Sequence, residues 1–232
     1  MNNKFKKIAA ALTVALAASS SHAALILTAA QDFGGSGLGT VNTVLTIASP
    51  GNATTEAGAV SFNGTADVPS GDAKTGNSQT QTYALSTLGL TQASALRVVF
   101  NAVEPGSNPG ITLDDLVLRI YNSAGSVLFT SGTFLSQAFP DTFSGTGNSG
   151  FVFRLDTADT ALAQASFANG TNRIGLSAAA SSASGGPETF FVANSPSTPG
   201  GPATSVPEPA TLALFGVGLL GAAFAARRNR KG

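Results

Sequence analysis

The chain has 232 residues and a balanced formal charge, with 12 basic and 12 acidic residues. It contains no cysteine and no tryptophan. Without cysteine the chain cannot form a disulfide, use a thiol nucleophile or hold an iron–sulfur cluster. Its length is sufficient for one well-buried domain.

Residues 1–23 are typical of a secretory signal peptide. A short basic region comes first, formed by Lys4, Lys6 and Lys7. Residues 8–18 are apolar, but this run is too short to span a membrane comfortably, and small residues follow it. Signal peptidase reads small residues at such positions. We therefore expect cleavage between Ala23 and Ala24, so that the protein is exported.

The mature chain is acidic once the leader and the basic C-terminal cluster are set aside. Between Ala24 and Val206 there are five basic and eleven acidic residues, a net charge of −6. Nucleic-acid binding is excluded, because it needs clustered Lys and Arg to displace counterions from phosphates. The one histidine, His22, lies in the leader. This excludes a Ser-His-Asp triad and histidine-dependent zinc or haem sites.

Short β-branched and aromatic runs, separated by turn residues, predict a mainly β domain over residues 24–193. The predicted strands are residues 41–48, 59–63, 79–85, 95–102, 111–121, 126–130, 151–155, 172–178 and 189–193. This spacing is typical of an antiparallel β-sandwich, which we expect to be jelly-roll-like. Phenylalanines on or beside the strands are expected to form its core.

One hairpin and one helix can be predicted in more detail. Residues 116–130 predict a hairpin with a loop over residues 122–125, because alternating apolar side chains flank a turn sequence. Residues 158–167 predict a short helix that Asn169-Gly170 ends. Its N-cap would be Asp156 or Thr157. Its buried face would consist of Ala158, Leu162 and Ala165.

Carboxylates are the remaining material for metal binding or catalysis. The candidates for a calcium site are Asp114, Asp115, Asp141, Asp156 and Asp159. Calcium accepts such oxygen ligands from loops. Two carboxyl groups facing each other at about 5–10 Å would instead indicate a glycoside hydrolase or a related glycan-active enzyme. Asp114 and Asp115 are adjacent in one predicted strand, so we expect them to point to opposite faces.

Aromatic side chains are the usual platforms for stacking a sugar ring. Because tryptophan is absent, the candidates are the two tyrosines, Tyr83 and Tyr121. After the last predicted strand, residues 194–205 are rich in proline and glycine and predict a solvated linker. The linker would separate the β domain from the C-terminal tail.

Residues 206–232 combine three features in a fixed order. A Pro-Glu-Pro step comes first, formed by Pro207, Glu208 and Pro209. An apolar run over residues 210–226 follows, which as a helix would be about 26 Å long at about 1.5 Å per residue. That length is just sufficient to cross a bilayer core. A basic cluster ends the tail, formed by Arg227, Arg228, Arg230 and Lys231.

This tail, VPEPATLALFGVGLLGAAFAARRNRKG, resembles the PEP-CTERM sorting signal of Gram-negative bacteria. The resemblance is confined to the tail. It implies that an exosortase, a membrane protease, recognises the tail and cleaves near the Pro-Glu-Pro step. The protein would then be released or transferred to the cell surface or its polysaccharide matrix. The two prolines keep this step extended and outside the helix, which suits a processing site.

These features together predict an exported surface or extracellular-matrix protein. By the positive-inside rule its tail would stay cytoplasmic while the protein is transiently anchored in the inner membrane. Signal peptidase and an exosortase would process it. We expect the β domain to be non-catalytic, to need no cofactor and to associate with exopolysaccharide in a biofilm. Two alternatives stay open, a carboxylate-based glycan-active enzyme and a calcium-dependent adhesin.

Overall fold

The structure, a computed structural model, describes most residues between Leu25 and Ser195. The described ranges are 25–28, 41–49, 51, 53–76, 78–102, 110–139, 150–183 and 186–195. They belong to one unit of the chain. Within them the fold is mainly β, with antiparallel sheets and one short α-helix, as the sequence predicts. No helix in these ranges has the length and hydropathy that a membrane span requires.

The strands follow one another along the chain with few helical interruptions. In chain order they are β1 (Leu25–Leu27), β2 (Thr43–Ile47), β3 (Thr55–Phe62), β4 (Asp67–Gly71), β5 (Tyr83–Ala84), β6 (Leu96–Asn101), β7 (Ile111–Tyr121), β8 (Val127–Thr130), β9 (Gln137–Phe139), β10 (Phe151–Leu155), β11 (Arg173–Ser181) and β12 (Glu188–Asn194). Helix α1 covers Thr157–Ala163, and 3₁₀ helices cover Ala93–Ala95 and Gln164–Ala168.

The strands form two antiparallel sheets. The smaller sheet has the order β1-β10-β6-β12-β2. The larger sheet has the order β4-β3-β11-β7-β8, with β5 also paired to β11 and β9 to β7. Most neighbours in these sheets are distant in sequence, so the fold depends on long-range pairing. This arrangement brings β6 and β10 side by side, although three strands separate them along the chain.

One hydrophobic cluster takes side chains from both sheets. Its members alternate along the strands, as Leu96, Val98 and Phe100 do in β6, because successive side chains of a strand point to opposite faces. Near its centre the rings of Phe100 and Phe190 stack with centroids 4.9 Å apart. Burying a side chain of this kind stabilises the fold by about 1.5–3 kcal/mol. The predicted phenylalanine core is therefore confirmed for these residues.

Most predicted strands are confirmed, and the limits of β7 and β10 match the prediction in full. Strand β3 starts four residues earlier than predicted. Its buried positions there are Glu56 and Gly58, and neither marks an apolar face. The predicted strand 79–85 is wrong except for β5. Residues before β5 contact β2 through isolated hydrogen bonds instead. The Gln81 backbone N–H donates to the Val44 carbonyl at 3.0 Å, and Thr46 Oγ1 donates to the Gln79 carbonyl at 2.8 Å.

Three strands were not predicted: β1, β4 and β9. Strands β1 and β9 have three residues each, which is too few for an alternating pattern to be recognised. Strand β4 contains Pro69, and proline argues against a strand interior. It is tolerated here because β4 lies at the edge of the larger sheet.

The predicted hairpin is confirmed as β7 and β8, with Ile120 paired to Phe129. Its loop covers residues 122–126, one residue more than predicted. Asn122 Oδ1 closes the loop by accepting hydrogen bonds from the backbone N–H groups of Ala124 and Ser126, at 3.0 and 2.9 Å. Gly125 has φ +82°, a left-handed conformation that favours glycine.

The predicted helix forms, but its buried face is not the predicted one. Asp156 is the N-cap and accepts a hydrogen bond from the Asp159 backbone N–H at 2.7 Å. Leu162, predicted to be buried, is 70% exposed, whereas Ala163 and Phe167 are buried. The bulky aromatic ring of Phe167 sets the orientation, because burying it removes more apolar surface than burying Leu162 would.

Several predictions concern residues outside the described ranges. They are the signal peptide over residues 1–23, the linker beyond residue 195, the apolar span over residues 210–226 and the basic cluster over residues 227–231. For these segments the structure adds nothing, and the sequence-based interpretation stands as a prediction.

Candidate functional site

Asp114 and Asp115 lie in β7 at a β-bulge. Asp115 pairs with Ala179 and Leu113 pairs with Ala180, so Asp114 is the extra residue. Both aspartates are exposed, whereas Leu113 is fully buried. The prediction that the two aspartates point to opposite faces is therefore wrong, because the bulge interrupts the alternation of the strand.

The other predicted calcium ligands are used locally. Asp156 caps α1, and Asp159 Oδ2 accepts a hydrogen bond from the Gly132 backbone N–H at 2.9 Å. Asp141 lies outside the described residues. In the part of the chain that the structure describes, no group of three or more His, Cys, Asp or Glu residues is arranged to hold a metal. The calcium site stays a prediction.

The two tyrosines differ as candidate sugar platforms. Tyr121 is only 4% exposed, so its ring face is not available for stacking, and that prediction is wrong. Tyr83 is half-buried, and its hydroxyl accepts a hydrogen bond from Gln81 Nε2 at 2.6 Å. Burial raises the pKa of both hydroxyls. Asp67 raises the pKa of Tyr83 further, whereas Arg119 lowers that of Tyr121.

Two buried carboxylates were missed by the sequence analysis. Glu56 in β3 is 5% exposed and Glu188 in β12 is 0% exposed. Both flank the end of β2, since Glu188 pairs with Ile47 and Glu56 Oε1 accepts a hydrogen bond from the Ser49 backbone N–H at 2.8 Å. The predicted strands began after each glutamate, which hid the inward positions. Their burial closes both carboxylates to an external substrate.

Arg173, at the start of β11, has hydrogen-bond and ion-pair partners at its Nε and Nη2 atoms. Its Nε and Nη2 donate to the Oγ1 and carbonyl oxygen of Thr82 at 2.6 and 2.7 Å. Nη2 also lies 3.5 Å from Asp67 Oδ1. The Thr82 hydroxyl donates to the same carboxylate, and Arg173 Cζ lies 4.7 Å from the ring centroid of Phe62. These contacts connect β4 and β11, which makes the cluster a structural one.

Two further arginines lie together on the smaller sheet. Phe153 of β10 pairs with Val98 of β6, and both side chains belong to the hydrophobic core. One residue further along each strand lie Arg154 and Arg97. Alternation therefore places both arginine side chains on the opposite face of the sheet, which carries a second buried apolar cluster of Val99, Val152 and Phe191. We call this pair the arginine pair.

Among the described residues, no carboxylate forms an ion pair with Arg97 or Arg154. The ion pair observed there joins Arg173 and Asp67. Arg97 is 9% exposed, and its Nη1 donates to the carbonyl oxygens of Ser94 and Leu96, both at 2.8 Å. Its buried Nε has no hydrogen-bond partner in the described ranges. Burial lowers the pKa of Arg97, and the charge of Arg154 lowers it further.

A cleft of about 180 Å³ adjoins Arg154. It lies where the 3₁₀ helix before β6, the end of β10 and the first turns of α1 meet. Its lining residues are Ala93, Ser94, Arg154, Leu155, Thr157 and Thr160. One wall is held in place by the Ala93 backbone N–H, which donates to Gln164 Oε1 at 3.0 Å. The cleft therefore combines one guanidinium group with three hydroxyl groups.

The C-terminal tail is the part of the chain that the comparisons with known proteins recognise. Residues 205–231 match the family model described as the PEP-CTERM protein-sorting motif. The comparisons with curated proteins and with solved structures found no match. The resemblance inferred from Pro207, Glu208, Pro209 and the following residues is confirmed. The chain therefore carries a PEP-CTERM sorting motif, which implies an exported protein that an exosortase sorts at the membrane for the cell surface.

Proposed function

We propose that the β domain is a non-catalytic component of the cell surface or extracellular matrix and associates with exopolysaccharide in a biofilm. The observation that carries this proposal is the sorting motif at residues 205–231, because it directs the chain to the surface. The hydrophobic cluster shared by the two sheets supports a jelly-roll-like β-sandwich. Such architectures recur in lectin domains, an analogy at the level of the fold alone.

Four of the described carboxylates are not placed as a catalytic pair. A glycosidase needs two carboxyl groups that face each other across an open cleft. Glu56 and Glu188 are 5% and 0% exposed, so a glycan has no access to them. Asp156 and Asp159 are engaged with the backbone at α1 and Gly132. This supports the non-catalytic function over the glycan-active enzyme.

Processing would occur at both ends of the chain. Signal peptidase would cleave between Ala23 and Ala24, and the apolar run over residues 210–226 would anchor the chain in the inner membrane. The basic cluster over residues 227–231 would keep the tail cytoplasmic. The exosortase would then act near Pro207 and remove the anchor.

The sorting step is tested by mass spectrometry of the protein released from its host. We expect the extracellular form to lack residues 227–231. Replacing Pro207, Glu208 and Pro209 with Ala should leave the protein in the membrane fraction, whereas Pro196→Ala in the linker should be released normally. An extracellular form that keeps the basic cluster would contradict exosortase processing.

The matrix association is tested by co-sedimentation of the exported protein with the host's own matrix polysaccharide, while new reducing ends are measured. Sedimentation without new reducing ends supports the proposal. New reducing ends would favour the enzyme, and loss of sedimentation in a calcium chelator would favour the calcium-dependent adhesin. If the protein stays in the supernatant under all conditions, the polysaccharide association is wrong.

A further inference from the structure

The arginine pair is an electrostatically unusual feature of the described chain. Two like charges lie in adjacent strands, each one residue beyond the paired Phe153 and Val98, and one of them is nine-tenths buried. Burial removes the hydration that normally stabilises a guanidinium, and a neighbouring cation adds repulsion. An anion hydrogen-bonded to Arg154 in the cleft would offset this repulsion, because its negative charge also acts on Arg97. The buried Nε of Arg97 is a donor without a partner in the described ranges.

The adjoining cleft indicates what kind of molecule would carry the anion. Its hydroxyl groups belong to Ser94, Thr157 and Thr160. The Ser94 and Thr160 hydroxyls donate within the protein, to Gln92 Oε1 at 3.5 Å and to the Leu155 carbonyl at 3.4 Å. Their oxygen atoms can still accept hydrogen bonds from a ligand that has hydroxyl groups of its own. The volume of about 180 Å³ lies below the range of about 300–1,000 Å³ that is typical of sites for free small molecules. A cleft of this size suits one charged unit of a longer chain lying on the surface.

The charge of the rest of the domain makes such binding specific. The mature chain has a net charge of −6, so its overall field repels a polyanion. A polyanion that binds must therefore do so at a local cluster of positive charge. The arginine pair contains two of the five basic residues between Ala24 and Val206.

We propose that Arg154 binds the carboxylate group of an acidic sugar in a polysaccharide. The charge of buried Arg97 reinforces this binding, and the hydroxyls of Ser94, Thr157 and Thr160 contact the sugar ring. This inference rests on the proposed polysaccharide association and adds the chemical class of the ligand. Arg154 is the accessible member of the pair. Arg97 is buried and contributes its positive charge without touching the ligand.

The test uses the full exported protein and three polymers: polygalacturonate, dextran sulfate and neutral dextran. We expect retention by polygalacturonate, weaker retention by dextran sulfate and none by neutral dextran. Arg154→Gln should weaken binding to polygalacturonate at least tenfold, and Arg154→Lys should retain part of it because the charge stays. Free galacturonate should compete better than inorganic phosphate, because phosphate lacks the sugar hydroxyls.

The matched control is Arg119→Gln. Arg119 is half-buried on the larger sheet, where its Nη1 donates to Ser177 Oγ at 3.3 Å. This variant removes the same charge from a different surface, so its binding should stay within twofold of the unmodified protein. Thermal unfolding of Arg154→Gln checks that the variant is folded, and Thr157→Val probes the cleft without changing any charge.

Three results would overturn the inference. They are equal retention by neutral dextran, an equal loss of binding in Arg154→Gln and Arg119→Gln, and unchanged binding in folded Arg154→Gln. If the Arg154→Gln variant co-sediments with the host polysaccharide as well as the unmodified protein does, the proposed function stands and the arginine site is wrong. If neither the host polysaccharide nor polygalacturonate binds, both are wrong.

Discussion

Arg173 and the arginine pair show two ways of placing a cation in the same β domain. Arg173 has a hydroxyl, a carbonyl oxygen, a carboxylate and an aromatic ring around its guanidinium group. Arg97 and Arg154 donate hydrogen bonds to backbone carbonyl oxygens, and the charge of Arg154 acts on Arg97. Neither has a carboxylate partner among the described residues. A charge satisfied by its own fold stabilises the fold, whereas an uncompensated one is available to a ligand. Arg173 is thus a structural residue, whereas the arginine pair belongs to a candidate binding site.

The largest expected effect is the loss of stability in Arg173→Ala. It removes two hydrogen bonds to buried Thr82 and leaves Asp67 without its cation. We expect a decrease of about 3 kcal/mol in the free energy of unfolding. Arg173→Lys should lose less, because the ammonium keeps the charge but not the planar fork. Urea denaturation measures both variants, and an unchanged midpoint for Arg173→Ala would contradict the structural assignment.

A smaller loss is expected for Asp67→Asn. The Asp67 side chain is 25% exposed, and the amide oxygen can still accept from the Thr82 hydroxyl. We expect a decrease of about 1 kcal/mol, as for a partly solvated ion pair. Asp115→Asn is the control, because Asp115 is exposed in β7 and should change stability by less than about 0.5 kcal/mol. A loss as large as that of Arg173→Ala would show that the carboxylate, not Thr82, is the main partner.

The sequence predicts the parts of this fold that depend on local patterns. Strands β7 and β10 alternate or cluster apolar residues over their whole length, and their limits were correct. The tail was recognised for the same reason, since its features lie next to one another in the chain. Local patterns fail where polar residues face inward, as with Glu56, or where a bulge changes the alternation, as at Asp114.

The candidate binding site could not be predicted, because it depends on strand order. Arg97 and Arg154 are distant in sequence, and each is a single cation in an apolar strand. They meet only because β10 pairs with β6 in the smaller sheet. In the side wall of the cleft, Thr160 was predicted within the helix and Thr157 as a possible N-cap, but the predicted buried face of that helix was wrong. Tertiary pairing is therefore needed to define the site.

Replacing Arg154 should change the free energy of unfolding in the opposite direction to replacing Arg173. Arg154→Gln removes a like charge next to buried Arg97, and the one hydrogen bond that it loses is to its neighbour's carbonyl oxygen, at 3.1 Å. We expect the free energy of unfolding to stay constant or rise by about 0.5 kcal/mol at low salt. The gain should shrink at high salt, because ions screen the repulsion. Denaturation at two salt concentrations measures this, and a clear loss of stability would mean that Arg154 is a structural residue like Arg173.

The smallest expected effect is a dependence of stability on pH through Tyr83, which lies near Asp67 of the Arg173 cluster. Burial raises the pKa of Tyr83, and Asp67 raises it further. Because the folded pKa lies above the unfolded one, Tyr83 contributes stability below about pH 10, and this contribution is lost as pH rises through the folded pKa. In Tyr121→Phe the tyrosinate absorbance reports Tyr83 alone, since the chain has two tyrosines. Adding Asp67→Asn to this variant should lower the pKa of Tyr83. Adding Asp67→Asn to Tyr83→Phe should leave the pKa of Tyr121 unchanged. An equal shift at both tyrosines would mean that Asp67→Asn loosens the whole domain, and the local interaction between Asp67 and Tyr83 would then be wrong.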